Sequence, residues 1–529
     1  MSTYNPMLKL ATGAALEGEE WFAREHAKGL KAGMKRVLRW PELVSLGVGA
    51  TIGAGIFVVT GNVARDTTGP ALCLSYLAAG FCCLLSSFAY AEFAAISPQA
   101  GSAYGYTKAT MGIFPAWFVG WDLILEYGVT AAGVAQGFSK YFRTLVLLAG
   151  GDIPLPIRSA PWAFDPETGK ISATGSAFDV TAVIIVFILT LVLIRGIRES
   201  TSLNNVMVGI KVSVVLFVIL GGIAFINPKN YEPFAPYGYA GISFFGHTAF
   251  GGTDKQGNSV GVLAGGSLVY FAFIGFDAVS THSEECEDPQ TDLPRGIVGS
   301  LLISSVLYLG VSLVLVGMVP YQEIDRDAPL SAAFGVHGVK WAQVIVALGA
   351  LAGLSSVMLV NLLGQPRILM AMARDGLLPT FFLDIHPTFR TPYRSTALTG
   401  LLVATVSAFV PLSVLVELVS MGTLLAFGFV NVSVLILRQT QPDLHRPFRC
   451  PWCPYIPLAG ALSCFLLMLS LPSSNWVRLI VWALIGVGIY RNFSVPNMKA
   501  MELQQQSSPT HKQDDESPAQ VANPMHLSE

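Results

Sequence analysis

An all-α protein that crosses a membrane about twelve times is the fold the sequence predicts, and three observations carry that prediction. First, 52% of the 529 residues are hydrophobic and 12% are charged, with a mean hydropathy of +0.56. A soluble domain holds about 25% charged residues, and one with this composition would expose large apolar patches. Second, apolar runs long enough to span a bilayer recur along the chain. Third, two of those runs are interrupted near their middles by glycine. The net charge of −2 leaves no basic footprint for a nucleic-acid partner. No short apolar stretch followed by a small-residue cleavage site marks a secretory signal, so the first span is expected to serve as the targeting signal.

In chain order, residues 8–41 mix aromatic and aliphatic side chains with Lys28, Lys31, Lys35, Arg36 and Arg39. This reads as an amphipathic helix on the membrane surface, within a cytoplasmic N-terminal segment of residues 1–41. Candidate spans follow near 42–62, 70–96, 113–137, 178–195, 202–226, 262–284, 294–319, 339–364, 395–411, 412–437, 454–471 and 475–491. Residues 492–529 are polar, with Gln504 to Gln506 and Asp514 to Glu516 among Ser and Pro, and are predicted to be a disordered cytoplasmic tail. With both termini in the cytoplasm, Lys and Arg fall inside twice as often as outside. The reverse orientation would invert that bias, so both termini are expected inside. The large external loops are then 138–177 and 227–261, and neither holds a glycosylation sequon.

Seven cysteines are present, most of them in apolar runs where cysteine is a small hydrophobe. Cys450 and Cys453 form a CxxC, but a structural zinc site needs four ligands and no second pair is close in sequence. No metal and no cofactor are expected.

Span one holds Gly47, Gly49, Gly53 and Gly55 within nine residues, and span six holds Gly265, Gly266 and Gly275. Glycine weakens a helix, and irregular backbone at membrane depth is tolerated only where it is buried or lines a cavity. Matched breaks in two halves of a chain point to a transport site between inverted repeats. Freed N–H groups suit a carboxylate and freed carbonyls an ammonium, so an amino acid is the expected cargo. Close helix packing through small residues is the competing reading of either break alone.

The runs GVGATIGAGIFVVTG from Gly47 to Gly61, FAFIGFDAVSTHSEE from Phe271 to Glu285 and RILMAMARDGLLP from Arg367 to Pro379 resemble the cationic amino acid transporter family, within the amino acid–polyamine–organocation superfamily. The resemblance covers nearly all of residues 35–490. It implies a leucine-transporter-like fold of five-plus-five inverted repeats, 42–226 and 262–437, with two further helices in 454–491. It also implies alternating access, a monomer, and an L-amino acid carboxylate held near Thr51, Ile52, Gly53, Ala54 and Gly55. The cargo's amine would then meet the backbone of Phe271, Ala272 and Ile274.

Ionisable residues within the membrane are costly and are functional candidates. Lys211 lies nine residues after Ser202, about 13 Å along a helix, too deep to snorkel easily. In proton-coupled relatives a lysine at the matching place stands where sodium binds in sodium-driven ones. Lys211 is therefore expected to be the proton-coupling site, with span-one carbonyls and Ser355 or Ser356 as partners; a permanently charged tether is the alternative. Glu126 would draw a cationic side chain, as the family associates this position with cationic substrates, or would be a hydrogen-bonded structural group. Asp122 shares its face. Glu92, Asp277 and Glu284 are expected to be structural or gating residues, with Arg295 or Arg367 facing Glu284 and Glu285. Phe271, Phe273 and Phe276 could line the pocket or simply pack.

The expected function is proton-coupled transport of arginine, lysine or ornithine. A broad neutral amino acid carrier is the rival, and an amino acid sensor with little flux is the reading from another class. The short tail offers no signalling domain, and no HExxH, GxSxG, phosphate loop or filter motif supports an embedded enzyme or a channel. Membrane lipids are the surrounding partner. The plasma membrane and the vacuolar or lysosomal membrane both fit.

Overall fold

The apolar runs fold as helices in a computed structural model that describes residues 38–96, 102–164, 171–195, 197–244, 247–253, 258–389 and 391–507. The predicted amphipathic segment falls almost wholly outside the described residues. The first described helix, α1 (Trp40–Thr51), starts where Glu42 accepts a hydrogen bond from the Arg39 backbone N–H at 3.1 Å and Pro41 occupies the first turn. After a break the chain continues as a largely π-helical run over 55–68, then as α2 (Leu72–Ile96). There follow α3 (Ser102–Met111), α4 (Ile113–Leu148), α5 (Val180–Arg195) and α6 (Ile197–Gly222). The second broken helix begins as α7 (Val262–Val269) and continues through α8 (Pro289–Met318), α9 (Pro329–Val336), α10 (Lys340–Arg374), α11 (Tyr393–Phe409) and α12 (Leu412–Thr440). The chain closes with α13 (Tyr455–Leu469), α14 (Ser473–Ile489) and α15 (Val495–Ser507).

Eight helical segments among the described residues are long and apolar enough to cross a membrane, and α5 and α13 are shorter apolar helices. The protein is an all-helical, multi-pass integral membrane protein. Three short antiparallel ladders decorate the loops: β1 (Trp162–Phe164) with β2 (Ile171–Ala173), β3 (Ile242–Phe244) with β4 (His247–Phe250), and β5 (Gly252–Thr253) with β6 (Ser259–Val260). They lie in the two long loops that charge bias assigns to the outside.

The expectation of a disordered tail from residue 492 is corrected over its first part. The chain stays helical to Ser507, because Ser494 Oγ donates to Leu377 O at 2.7 Å and Asn497 Nδ2 to Gly376 O at 2.8 Å. A polar sequence does not reveal that a loop elsewhere in the chain supplies its acceptors.

Lipid tails give helices little hydrophobic reason to associate, so packing and polar contacts hold a bundle together. Asn431 of α12 donates to Ser86 Oγ of α2 at 2.9 Å. The indoles of Trp117 and Trp121 on α4 donate to Gly486 O and Trp482 O of α14, and Trp121 stacks on Trp482 with centroids 4.4 Å apart. The indole contacts fasten α4, which carries Glu126, against α14.

Candidate functional site

Two interruptions of helical backbone meet in the protein interior. In the first, Ile52 is extended, with its N–H bonded to Val48 O at 3.1 Å. Helix resumes when Ile56 N and Phe57 N both find Gly53 O. In the second, a tight turn Tyr270–Phe273 leads to an extended Ile274 and to Gly275 at φ +116, a conformation glycine adopts without steric cost. The two breaks touch. A Cβ placed on Gly55 would lie 2.2 Å from Ala272 Cα. A Cβ placed on Gly275 would lie 2.8 Å from the carbonyl carbon of Ala50. Thr51, Ile52, Gly53, Ala54 and Gly55 are thereby brought beside Phe271, Ala272 and Ile274.

The carbonyls freed at the breaks are served by hydroxyls that the sequence did not single out. Tyr308 OH of α8 lies 2.9 Å from Thr51 O and 2.7 Å from Ala272 O, one on each break. Tyr76 OH of α2 donates to Gly55 O at 3.1 Å and lies 2.7 Å from Thr60 Oγ1. Tyr141 OH reaches Phe57 O at 2.6 Å. A lone tyrosine in an apolar helix carries no sequence signal of this role. The Tyr308→Phe variant leaves two buried carbonyls without that hydroxyl. It is expected to lose about 1–3 kcal/mol, read as a lower thermal-inactivation temperature in detergent.

Lys211 is fully buried on α6, and its Nζ donates to Gly49 O and, at 3.1 Å, to Ile52 O of the first break. Ser356 Oγ lies 3.5 Å from Nζ and donates to Asn204 Oδ1 at 2.6 Å. Of the two candidate serines, Ser355 is corrected: its hydroxyl bonds Leu351 O of its own helix at 2.8 Å. Ser356 reaches the lysine and Asn204 joins the cluster, a partner invisible until α6 and α10 are placed together.

Glu126 and Asp122 sit one turn apart on α4, 0% and 2% exposed, and no described Lys or Arg pairs with either carboxylate. Thr423 of α12 lies beside Glu126, with its hydroxyl placed to donate to the carboxylate. Asp277 braces the second break, accepting from Gly275 N at 3.2 Å and from Tyr127 OH at 3.0 Å. Phe273 packs on Tyr76 and Tyr308, and Phe276 on Tyr90 and Phe427. Phe271 approaches α4, with its ring tip 3.7 Å from where a Cβ of Gly133 would stand.

The gating candidates divide. Glu92 is fully buried near the C-terminal end of α2. Arg438 grips it with two bonds of 2.9 and 2.7 Å, Arg446 pairs with it at 3.2 Å, and Cys450 N donates to it at 2.7 Å. Removing one partner of such a buried pair strands the others, so Glu92→Gln is expected to cost about 3 kcal/mol, seen as a lowered melting temperature in detergent. The Glu284 and Glu285 side chains lie outside the described residues, while Arg367 donates to Thr281 O at 3.4 Å. Burial, with Glu92 close by, pushes the Cys450 thiol up to about 12, which makes it a poor thiolate for metal or redox use.

The amino acid permease family model matches residues 38–490. The methylthioribose transporter of Bacillus subtilis (strain 168) is 38% identical over 468 residues, covering 88% of this chain and 95% of that protein. The branched-chain amino acid permease of the same organism is 40% identical over 467 residues, covering 88% and 94%. The vacuolar cationic amino acid transporter 2 of Arabidopsis thaliana is 44% identical over 411 residues, covering 78% of this chain and 61% of the plant protein.

Proposed function

The chain belongs to the amino acid permease family and is an amino acid transporter rather than an enzyme, and from that premise we propose that it carries cationic L-amino acids, driven by protons, by alternating access. In this reading twelve helices cross the membrane. Residues 42–226 and 262–437 form the two inverted repeats, 454–491 adds two helices, and both termini face the cytoplasm. The carrier works as a monomer in the lipid of a plasma, vacuolar or lysosomal membrane.

The observation that carries the reading is the contact between the two breaks, Gly55 against Ala272. Backbone left irregular there offers polar groups to a zwitterion at membrane depth. The cargo carboxylate would sit against the N–H groups from Thr51 to Gly55, and its ammonium against the carbonyls of Phe271, Ala272 and Ile274. Glu126, with no described Lys or Arg beside it, favours a cationic side chain. Lys211 touches the first break, so gain or loss of its proton alters the bonds made to Gly49 O and Ile52 O. Asp277 would hold the second break in shape.

A second reading is a neutral amino acid carrier, favoured by the likeness to a branched-chain amino acid permease across 94% of that protein's length. Uptake into proteoliposomes of labelled arginine and labelled alanine separates the two. The cationic reading expects arginine to enter, and Glu126→Gln to cut its kcat/KM by about tenfold or more while sparing alanine. Entry of alanine alone makes the neutral reading correct. Binding without entry of either would point to a sensor.

A further inference from the structure

Past α14 the chain turns at Tyr490, whose ring packs on Phe114 and Trp117 of α4 with centroids 5.2 and 5.7 Å away. It then enters α15, which lies against the turn that ends α10. That turn is a glycine cap. Leu377 N reaches back to Met372 O at 3.0 Å, Gly376 N reaches Ala373 O at 3.0 Å, and Gly376 has φ +74. Carbonyls at a helix end need partners from outside the helix. Here Ser494 Oγ and Asn497 Nδ2 bond those of Leu377 and Gly376 at 2.7 and 2.8 Å. A Cβ on Gly376 would stand 2.7 Å from Met501 Sδ, so glycine serves both the cap and the close approach of α15.

The same turn holds α3. Asp375, the residue before Gly376, pairs with Lys108 Nζ at 2.6 Å and accepts from Tyr104 OH. At the start of α3, Ser102 is fully buried with φ +48, a conformation few non-glycine residues adopt. Its Oγ accepts from Ser280 Oγ at 3.1 Å, in the segment Asp277–Glu285 that follows the second break. Backbone held in such a region persists only where surrounding contacts enforce it. One row of contacts therefore runs from α15 through Gly376 and Asp375 to α3, and from α3 to the second broken helix. The charge bias assigns α15, this turn and α3 to the cytoplasmic side.

We propose that α15 is a clasp that keeps the inner mouth of the carrier shut. Docked, it fixes the turn at Gly376, and Asp375 then holds α3 against Ser280. Lifted, it lets the turn and α3 move, and the inner half of the second broken helix can swing away. Two neutral hydrogen bonds and a methionine contact are a modest grip, so α15 can lift while the bundle stays folded. The rate of inner opening is thereby set by a segment outside both repeats. The clasp acts on the alternating-access cycle proposed above and rests on that reading.

The test uses the full chain in lipid nanodiscs and reads Cys286, which lies fully buried at the inner end of the second broken helix. Labelling by a water-soluble maleimide is followed by peptide mass. Cys464, buried where α13 meets α2, is the internal control. Ser494→Ala combined with Asn497→Ala is expected to raise backbone hydrogen exchange over 495–501. It should also speed Cys286 labelling about tenfold, the effect of two lost hydrogen bonds, with Cys464 unchanged. Asp375→Ala breaks the row one step further on, so it should speed Cys286 labelling and leave exchange over 495–501 as in the wild type. The clasp is overturned if α15 exchanges freely while Cys286 labels at the wild-type rate, or if Cys464 speeds up equally. It is also overturned if exchange over 495–501 does not rise in the double variant, or if Asp375→Ala leaves Cys286 labelling unchanged. Labelling needs no cargo, which separates the clasp from the transport reading. That reading expects saturating arginine or alanine to alter Cys286 labelling in the wild type. No cargo effect, together with faster labelling in the double variant, would uphold the clasp and overturn alternating access.

Discussion

Lys211→Ala is expected to remove the acceleration of arginine uptake by an inward proton gradient and to lower uptake at symmetric pH by more than about tenfold. The lysine reaches from α6 to the carbonyls of Gly49 and Ile52, the last turn of α1 and the first residue of the break. Cutting the side chain back leaves those carbonyls without that donor, at about 1–3 kcal/mol for each that finds no water. It also removes the one amine described within this cluster. Lys211→Met keeps most of the volume and no proton site, so it separates packing from titration. The measurement is initial uptake into proteoliposomes with the internal pH fixed and the external pH varied. A gradient response that survives in both variants would show that protons couple elsewhere.

Gly55→Ala is the second large effect. Its added methyl would fall 2.2 Å from Ala272 Cα, 2.3 Å from Ala272 Cβ and 2.8 Å from Ala272 N. Backbone cannot swing aside as the end of a flexible side chain can, so the two breaks must part. Overpacking a well-filled interior costs about 1–3 kcal/mol, and a clash against backbone at the site should lie at or above the top of that range. We expect transport to fall at least about a hundredfold while the protein still inserts and purifies. Gly209→Ala is the matched control, because nothing lies within 4 Å of its added methyl; transport within about twofold of wild type is expected. Normal uptake by Gly55→Ala would mean that the contact between the breaks is not needed for transport.

The positions of the helices were legible because lipid imposes a one-dimensional rule: a long apolar run must be helical when no water can satisfy its backbone. Helix falls within each of the predicted stretches, and eight helical segments among the described residues are long and apolar enough to cross a membrane. The glycine breaks were legible for the same reason, since Gly47 to Gly55 and Gly265 to Gly275 cannot read as ordinary spans. The short helices α3 and α9 and the loop ladders were not legible. They obey local hydrogen bonding in loops, where composition says little.

Within the site, the sequence by itself determined which residues were unusual: the glycines of both breaks, a lysine deep in an apolar helix and a glutamate on another. Each breaks a pattern that lipid enforces along the chain. Only the tertiary structure decided what those residues meet. It chose Ser356 over Ser355, added Asn204, set Tyr308 across Thr51 O and Ala272 O, tied Glu92 to Arg438 and Arg446, and left Asp122 and Glu126 without a described cationic partner. The physical reason is that desolvation acts on each residue where it stands, so the cost of a buried polar group is written in the sequence. The hydrogen bonds that offset this cost come from helices far away in the chain, and their identity follows from packing alone.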